Sequence, residues 1–325
     1  LRFFSIKGKS MKYLLSILIS LWSIMVFAKP LNQIVVFGDS LSDRGNLYEY
    51  MNHQLPMSPP YYEGRFTNGK VWIELLASKF YPDNLEEHFI DYAYGGANVG
   101  IENHYNDFSL QNQINTYFSE HQVANPDALY VVWAGANNYL DLPENIDSTV
   151  NQVIAGIESS LEKMIQNGAK HFFVINIPDL STTPAAQEFE SEAELKEMSD
   201  KHNQKLLEKI NQLQKKYPDV RFLTYDITSI MGDIIIHPEL HGFKDGHHTC
   251  CEYIQDNSQA LTSHPEVLHS KLLTSVDKLA FAPVISSDVC YDYLFFDLYH
   301  PTAHAHSLMA DEIYQLFIDN KIEFQ

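Results

Sequence analysis

Short β-branched and aromatic runs alternate along this chain with longer stretches whose apolar positions recur every three or four residues. The short runs fall at residues 33–37 (QIVVF), 88–94 (HFIDYAY), 129–134 (LYVVWA), 171–176 (HFFVIN) and 221–225 (RFLTY). They are too short for helices and nearly continuous in hydrophobicity, which is the pattern of strands covered on both faces. Residues 71–80 (VWIELLASKF) and 148–167 carry helical spacing, and a last helix is predicted over 303–319, behind the Pro301 start signal. Residues 191–216 place Leu195, Leu206, Leu207, Ile210 and Leu213 at helical spacing among Glu and Lys, so an amphipathic surface helix with a solvated charged face is expected there. Strand and helix in alternation predict an α/β protein, a three-layer α/β/α sandwich around a central parallel sheet of about five strands.

Two stretches break the alternation. Residues 47–68 contain Leu55, Pro56, Met57, Pro59, Pro60, Tyr61 and Tyr62, a proline-broken aromatic loop that excludes a central strand or helix. Residues 237–295 form the second and hold every cysteine of the chain. Neither an internal repeat nor a low-complexity tract is present, and nothing in the middle reads as a linker. A single domain over 29–325, with insertions at about 47–68 and 237–295, is the expected organisation.

The stretch that starts at Met11 and ends at Ala28 reads as a secretory signal peptide, with Lys12 as its charged start and Val26-Phe27-Ala28 as the cleavage pattern. An uncleaved membrane anchor is the competing reading, since the apolar stretch approaches the lower length for spanning. Cleavage is preferred because a good cleavage site ends the run and a soluble domain follows at once. Residues 1–10 are set aside from the fold reading. Without Arg2, Lys7, Lys9 and Lys12 the chain carries 18 basic against 42 acidic residues, a net charge of −24. That balance argues against nucleic acid or an anionic membrane as partner through a general basic field.

The oxidising compartment implied by a signal peptide makes one disulfide the expected arrangement, from Cys250 or Cys251 to Cys290, with one thiol left over. Adjacent cysteines seldom pair with each other. Zinc held by the cysteines with His247 and His248 is the competing idea, but the spacing fits no standard zinc pattern, and no metal is expected.

The chemistry concentrates at four places. The first apolar run ends in Gly38-Asp39-Ser40, which delivers a serine hydroxyl at a strand tip, where the glycine is expected to ease a sharp turn. A serine needs a base, an orienting acid and oxyanion donors to act as nucleophile. Near the end of the chain Asp297 and His300 stand three residues apart, so the carboxylate can hold Nδ1 while Nε2 faces the serine. Between them lie Gly95-Gly96-Ala97 and Gly135-Ala136-Asn137-Asn138, which offer backbone and amide donors at strand ends.

The order Gly-Asp-Ser-Leu-Ser-Asp, Gly-Gly-Ala, Gly-x-Asn and Asp-x-x-His-Pro resembles the four blocks of the GDSL, or SGNH, hydrolases, a family of lipases and esterases. The resemblance spans nearly the whole chain after the leader. It implies a flavodoxin-like sandwich, Ser40 as nucleophile, Asp297 as orienting acid, His300 as base, and an oxyanion hole from Ser40, Gly96 and Asn137. Gly96 is preferred to Gly95, and Asn137 to Asn138, from the family's spacing. Gly64-Arg65-Phe66-Thr67-Asn68-Gly69 is similar to a signature of the larger lipase-like members, and Asn46 follows Gly45 as it does there. Arg65 and Asn68 are expected to cap the next helix, and Asp39 to shape the nucleophile turn.

The resemblance is strongest to secreted bacterial lysophospholipase A and phospholipase-acyltransferase enzymes, so a secreted esterase acting on lysophospholipids or phospholipids through an acyl-serine is expected. Acyltransferase side activity, a lipid ester as partner, transient contact with a membrane or micelle surface, and no cofactor go with it. The two insertions are expected to form substrate walls or lids. A protease cutting the cysteine-closed loop at 258–275 is a further expected partner. A carbohydrate acetylesterase on the same scaffold and a non-catalytic lipid- or glycan-binding module are the alternatives.

Overall fold

The structure is a computed structural model and describes residues 30–100, 107–250 and 290–325. The leader stretch, Cys251 and the proposed protease loop lie outside the described residues. Five strands form one sheet: β1 (Gln33–Gly38), β2 (Phe89–Asp91), β3 (Ala128–Trp133), β4 (His171–Ile175) and β5 (Arg221–Tyr225). All pair in parallel, in the spatial order β2-β1-β3-β4-β5. Ile34 lies beside Leu129 and Gly38 beside Trp133, so the ends of β1 and β3 are level. The second run pairs as a strand only to Asp91, although Tyr92 and Tyr94 still donate to the Val36 and Gly38 carbonyls of β1 at 2.9 and 3.3 Å.

The helices among the described residues are α1 (Asn46–Tyr50), α2 (Trp72–Phe80), α3 (Leu85–His88), α4 (Leu110–Glu120), α5 (Ile146–Gln166), α6 (Pro184–Glu188), α7 (Glu192–Lys216), α8 (Ile227–Ile236) and α9 (Ala303–Asp319). Side chains alternate across a strand, so each strand feeds two cores. Val35, Phe37, Tyr130, Val132, Phe172 and Val174 pack toward α4, α5 and α7. Ile34, Val36, Leu129, Val131, Trp133 and Phe173 pack toward α2 and α9. This is the three-layer sandwich that the alternating pattern predicts. On α7, Leu206, Ile210 and Leu213 are buried, but Leu207 faces solvent.

Helix α8 was not expected. Its sequence, ITSIMGDIII, is short and rich in β-branched isoleucine, so its pattern does not distinguish it from a strand. It follows β5 directly, with Asp226 accepting from Thr228 N at 3.2 Å to cap its start. The second insertion contributes β6 (Asp245–Thr249) and β7 (Tyr293–Phe295), a parallel pair beside the main sheet. Cys250, just past β6, is bonded to Cys290, just before β7, with their Cα atoms 5.4 Å apart. Cys290 is wholly buried, in a cluster with Leu47, Met51, Tyr61 and Phe296. The disulfide takes up the Cys250 sulfur that a zinc site would need.

The strand order reverses direction between β1 and β3. In open α/β sheets the crevice at the carboxyl ends of such neighbouring strands is where ligands bind. The segments leaving β1 and β3 at that point carry Ser40 and Asn137.

Candidate active site

Gly38 ends β1, and its role differs from the one expected. Its φ is not in the left-handed region, whereas a Cβ there would lie 2.7 Å from the Trp133 carbonyl oxygen. The glycine lets β1 approach β3 and does not serve turn freedom. Gln113 of α4 then holds the strand end, accepting from Gly38 N at 2.9 Å and donating to Gly38 O at 2.7 Å. Beyond it Ser42 N and Asp43 N both donate to Asp39 O at 3.0 Å, forming the tight turn that carries Ser40.

Ser40 and His300 are 260 positions apart in the chain, yet Ser40 Oγ lies 2.8 Å from His300 Nε2. His300 Nδ1 is 2.6 Å from Asp297 Oδ2, and the carboxylate fixes the proton on Nδ1, so Nε2 is the acceptor for the serine hydroxyl. All three side chains are buried. Asp297 Oδ1 accepts from Tyr299 N at 2.8 Å and His300 N at 2.7 Å, so acid and base share one turn as their spacing required. Burial pushes the Asp297 carboxyl up, but the His300 imidazole, the Tyr61 hydroxyl and the Tyr299 N–H outweigh it and hold the group below its ordinary value. The carboxylate is therefore ionised where the imidazole needs it.

Tyr61 was not among the expected site residues. Its hydroxyl donates to Asp297 Oδ2 at 2.6 Å, the oxygen that His300 also uses. The ring is buried, edge-on to Phe296 at 5.2 Å and tilted against Phe66 at 6.1 Å. Two hundred and thirty-six positions separate the partners, and no local pattern reveals such a pair. Tyr61 belongs to the proline-broken loop expected as a substrate wall, and part of that loop instead backs the acid.

The Gly-Arg-Phe-Thr-Asn-Gly stretch does related work. Phe66 packs against the His300 ring at 5.2 Å, and Thr67 Oγ1 donates to Pro301 O at 2.8 Å. Asn68 Oδ1 accepts from Ala303 N at 2.7 Å, so it caps α9 and not the next helix in sequence, which corrects the expectation. A Cβ at Gly69 would meet the Ala303 Cβ at 2.6 Å. Arg65 does not cap the next helix directly: its guanidinium pairs with Glu74 at 2.6 and 3.1 Å, and Glu74 accepts from Val71 N at 3.2 Å to start α2. Together these contacts fasten the His300 segment to α2.

The two oxyanion choices can be weighed from hydrogen bonds. Gly95 N donates to Asp43 Oδ2 at 2.7 Å, and Gly96 takes φ +72° at the turn. Asn138 is bound at both amide atoms to Val99, each at 2.9 Å. Asn137 donates to Ala97 O at 2.8 Å and borders the cleft beside Ser40. Gly135 makes this turn with φ +124°, and a Cβ there would lie 2.7 Å from the buried His202 ring.

Asp43 binds the serine turn to the glycine loop. Besides Gly95 N it accepts from Gly45 N at 2.7 Å, Asn46 N at 2.6 Å and Leu47 N at 3.2 Å. Burial pushes its carboxyl up to about 6 against these four donors. Asp39 acts locally, as expected, with Oδ1 accepting from Leu41 N at 3.1 Å, and burial raises it to about 7. Asn46 adds bonds to Asp91 O and Ala93 O at 3.0 and 2.8 Å.

An apolar cleft opens at Ser40 and His300, with Leu41, Leu140, Leu180, Ile230, Met231 and Met309 among its walls. Among the described residues its lining contains neither lysine nor arginine, and none of it comes from residues 47–68. Helix α8 supplies one wall, so an element unforeseen in the sequence shapes the cleft. Among the described residues no group of three His, Cys, Asp or Glu could hold a metal. His248 Nδ1 instead lies 2.8 Å from Asp245 Oδ2.

A parallel sheet of this order, with serine, imidazole and carboxylate joined at its switch point, defines an SGNH-type α/β/α hydrolase. Residues 34–313 match the family described as GDSL-like Lipase/Acylhydrolase. The chain belongs to this family of lipases and acylhydrolases. Phosphatidylcholine-sterol acyltransferase of Aeromonas hydrophila is 30% identical over 315 residues, covering 90% of this chain and 92% of that protein. Secreted effector protein SseJ of Salmonella typhimurium is 30% identical over 287 residues, 86% of this chain but 62% of that longer protein. Among solved structures, Est24, a carbohydrate acetylesterase from Sinorhizobium meliloti, overlays with a TM-score of 0.48 at 13% identity, over 89% of this chain and 99% of that one.

Proposed function

We propose that the chain is a serine esterase that cleaves acyl esters of lysophospholipids and phospholipids through an acyl-serine, and that it transfers the acyl group to an alcohol as a side reaction. The observation that carries this reading is the continuous chain Asp297–His300–Ser40 opening on an apolar cleft. His300 Nε2 takes the Ser40 proton as Oγ bonds to the ester carbon, and Ser40 N–H, Gly96 N–H and the Asn137 amide receive the oxyanion. The carbon–oxygen bond to the alcohol then breaks, and His300 returns the proton to the departing oxygen. Water, or an alcohol, next gives its proton to His300 and attacks the acyl-serine, releasing acid or new ester and regenerating Ser40.

The apolar walls suit a long acyl chain and a polar acetylated sugar poorly, which favours the lipid reading over the acetylesterase. A non-catalytic binder has no need of the aligned serine, imidazole and carboxylate. The relative named phosphatidylcholine-sterol acyltransferase supports both the lipid substrate and the alcohol acceptor. Secretion and transient contact with a membrane or micelle surface belong to the same proposal. They are supported by the leader-like sequence at 11–28, by the relative named a secreted effector, and by the lack, among the described residues, of any helix long and apolar enough to cross a membrane.

Hydrolysis of lysophosphatidylcholine, acetylated sugars and short aryl esters, each followed by titration, tests the substrate. Preference for lysophosphatidylcholine is expected, and a strong preference for deacetylating sugar overturns the lipid reading. Ser40→Ala is expected to abolish cleavage of every ester and labelling by a fluorophosphonate while the far-ultraviolet spectrum is unchanged. Retained turnover would move the nucleophile elsewhere.

A further inference from the structure

His306 stands in the first turns of α9, six positions after His300, and takes no part in the steps above. Its side chain is 2% exposed, and it lines the cleft that Ser40 and His300 open into. Nδ1 accepts a hydrogen bond from Trp72 N at 3.2 Å, one of the N–H groups that the start of α2 leaves without a helical partner. An imidazole that accepts at Nδ1 carries its proton at Nε2. Burial, and then the nearness of His300, press its pKa down to about 3, so the ring is neutral and cannot serve as a second base at neutral pH. Among the described residues nothing accepts from Nε2–H, and that nitrogen is not one of the buried polar atoms sealed off without a partner.

We propose that His306 Nε2–H is a substrate-contacting donor that receives a hydroxyl group on the alcohol portion of the ester, and so selects esters of polyols over esters of simple alkanols. This rests on the reading of Ser40 and His300 given above. Elimination among the substrate's oxygens leads to it. The carbonyl oxygen belongs to the oxyanion donors, the bridging oxygen must face His300 to receive its proton, and the acyl chain has none. A further oxygen has to lie on the alcohol. It is a neutral one, because Asp39 and Asp179 line the cleft and, among the described residues, no lysine or arginine does to hold a phosphate. The free hydroxyl on the glycerol backbone of a lysophospholipid or a monoacylglycerol meets each condition, so lysophospholipids are expected to be preferred to diacyl phospholipids. A fixed neutral donor in an apolar wall discriminates strongly against an analogue without the matching acceptor, since the N–H is then desolvated and unpaired.

The experiment compares kcat/KM for 1-lauroylglycerol and for propyl laurate, in the full chain and in His306→Phe, which keeps a flat ring and removes the donor. Neither substrate carries phosphate, so the result is independent of whether a phospholipid is the natural ester; Ser40→Ala separately reports on the nucleophile. The preference for the glycerol ester is expected to shrink by about tenfold to a hundredfold in His306→Phe, through a larger loss on 1-lauroylglycerol than on propyl laurate. Equal losses on the two esters would make His306 a packing residue only and overturn the proposal. If His306→Phe does not fold, inhibition of the unmodified protein by 1-O-dodecylglycerol and by dodecyl propyl ether reads the same contact. Stronger inhibition by the glycerol ether supports the proposal, and equal inhibition overturns it.

Discussion

Replacing Tyr61 by phenylalanine removes one oxygen from the structure and tests whether the proline-broken loop acts on the acid. The ring keeps its contacts with Phe296 and Phe66, while Asp297 Oδ2 loses the donor at 2.6 Å and retains only His300 Nδ1. A hydrogen bond from a neutral donor to a buried carboxylate contributes about 1.5–3 kcal/mol, so stability is expected to fall by about 2 kcal/mol. The same loss leaves the carboxylate less satisfied and strengthens its hold on a proton carried by the imidazole. The acid limb of kcat/KM, which belongs to the coupled pair and not to either residue, therefore moves to higher pH. One unit corresponds to 1.36 kcal/mol, so the loss, divided between the fold and the pair, shifts the limb by about half a unit to one unit. The assay is kcat/KM from pH 5 to pH 9 on a soluble aryl ester, with a urea melt of the same preparation. An unchanged limb with an unchanged melt would show that the contact carries no energy. A limb displaced to lower pH would reverse the sign of the coupling and refute the reasoning.

Other consequences can be measured directly. Asp43→Asn replaces an acceptor of four backbone N–H groups by an amide that can satisfy fewer, so stability is expected to drop by roughly 3 kcal/mol and kcat to fall about tenfold as the Gly95-Gly96 loop loosens from the serine turn; equal kcat in the two proteins would refute that role. Reduction of Cys250–Cys290 opens a span of 40 positions. By loop closure this costs about 4 kcal/mol, read as a lower urea midpoint under dithiothreitol, and coincident midpoints would refute it. His202 is wholly buried and its pKa is lowered from 6.5 to about 3. The unfolded chain therefore binds a proton that the folded chain refuses, so the associated stability is complete above pH 6.5 and is lost as pH falls toward 3, by up to about 5 kcal/mol. His202→Phe is expected to flatten that acid slope by nearly one proton, and an unaltered slope would assign the loss to other groups.

Much of the frame could be read from residue order because its causes are local. The β1 run ending at Gly38, the α9 start behind Pro301, and the one-turn spacing of Asp297 and His300 each follow from neighbours a few positions apart. The remaining features depend on groups that meet only after folding. Tyr61 finds Asp297, Asn68 finds Ala303 N and Gly95 finds Asp43 across tens to hundreds of positions, and each alone reads as an ordinary loop residue. Helix α8 escaped for another reason: it is short, and its β-branched isoleucines suit a strand as well as a helix. His306 was hidden because a buried histidine in a helix usually only fills space, and the proposal for it depends on Trp72 N occupying one nitrogen of a residue that lines the cleft.

Ser40 leaves the first strand of the sheet, while His300, the base in the proposed mechanism, sits just ahead of the final helix and is fastened there by Thr67 and Asn68. Reactivity is consequently a property of the finished molecule. A ribosome-bound or truncated chain that has folded β1 through β5 presents an ordinary serine at the end of β1, without an imidazole to withdraw its proton. Removal of the segment from Asp297 onward is therefore expected to silence the site as completely as loss of Ser40.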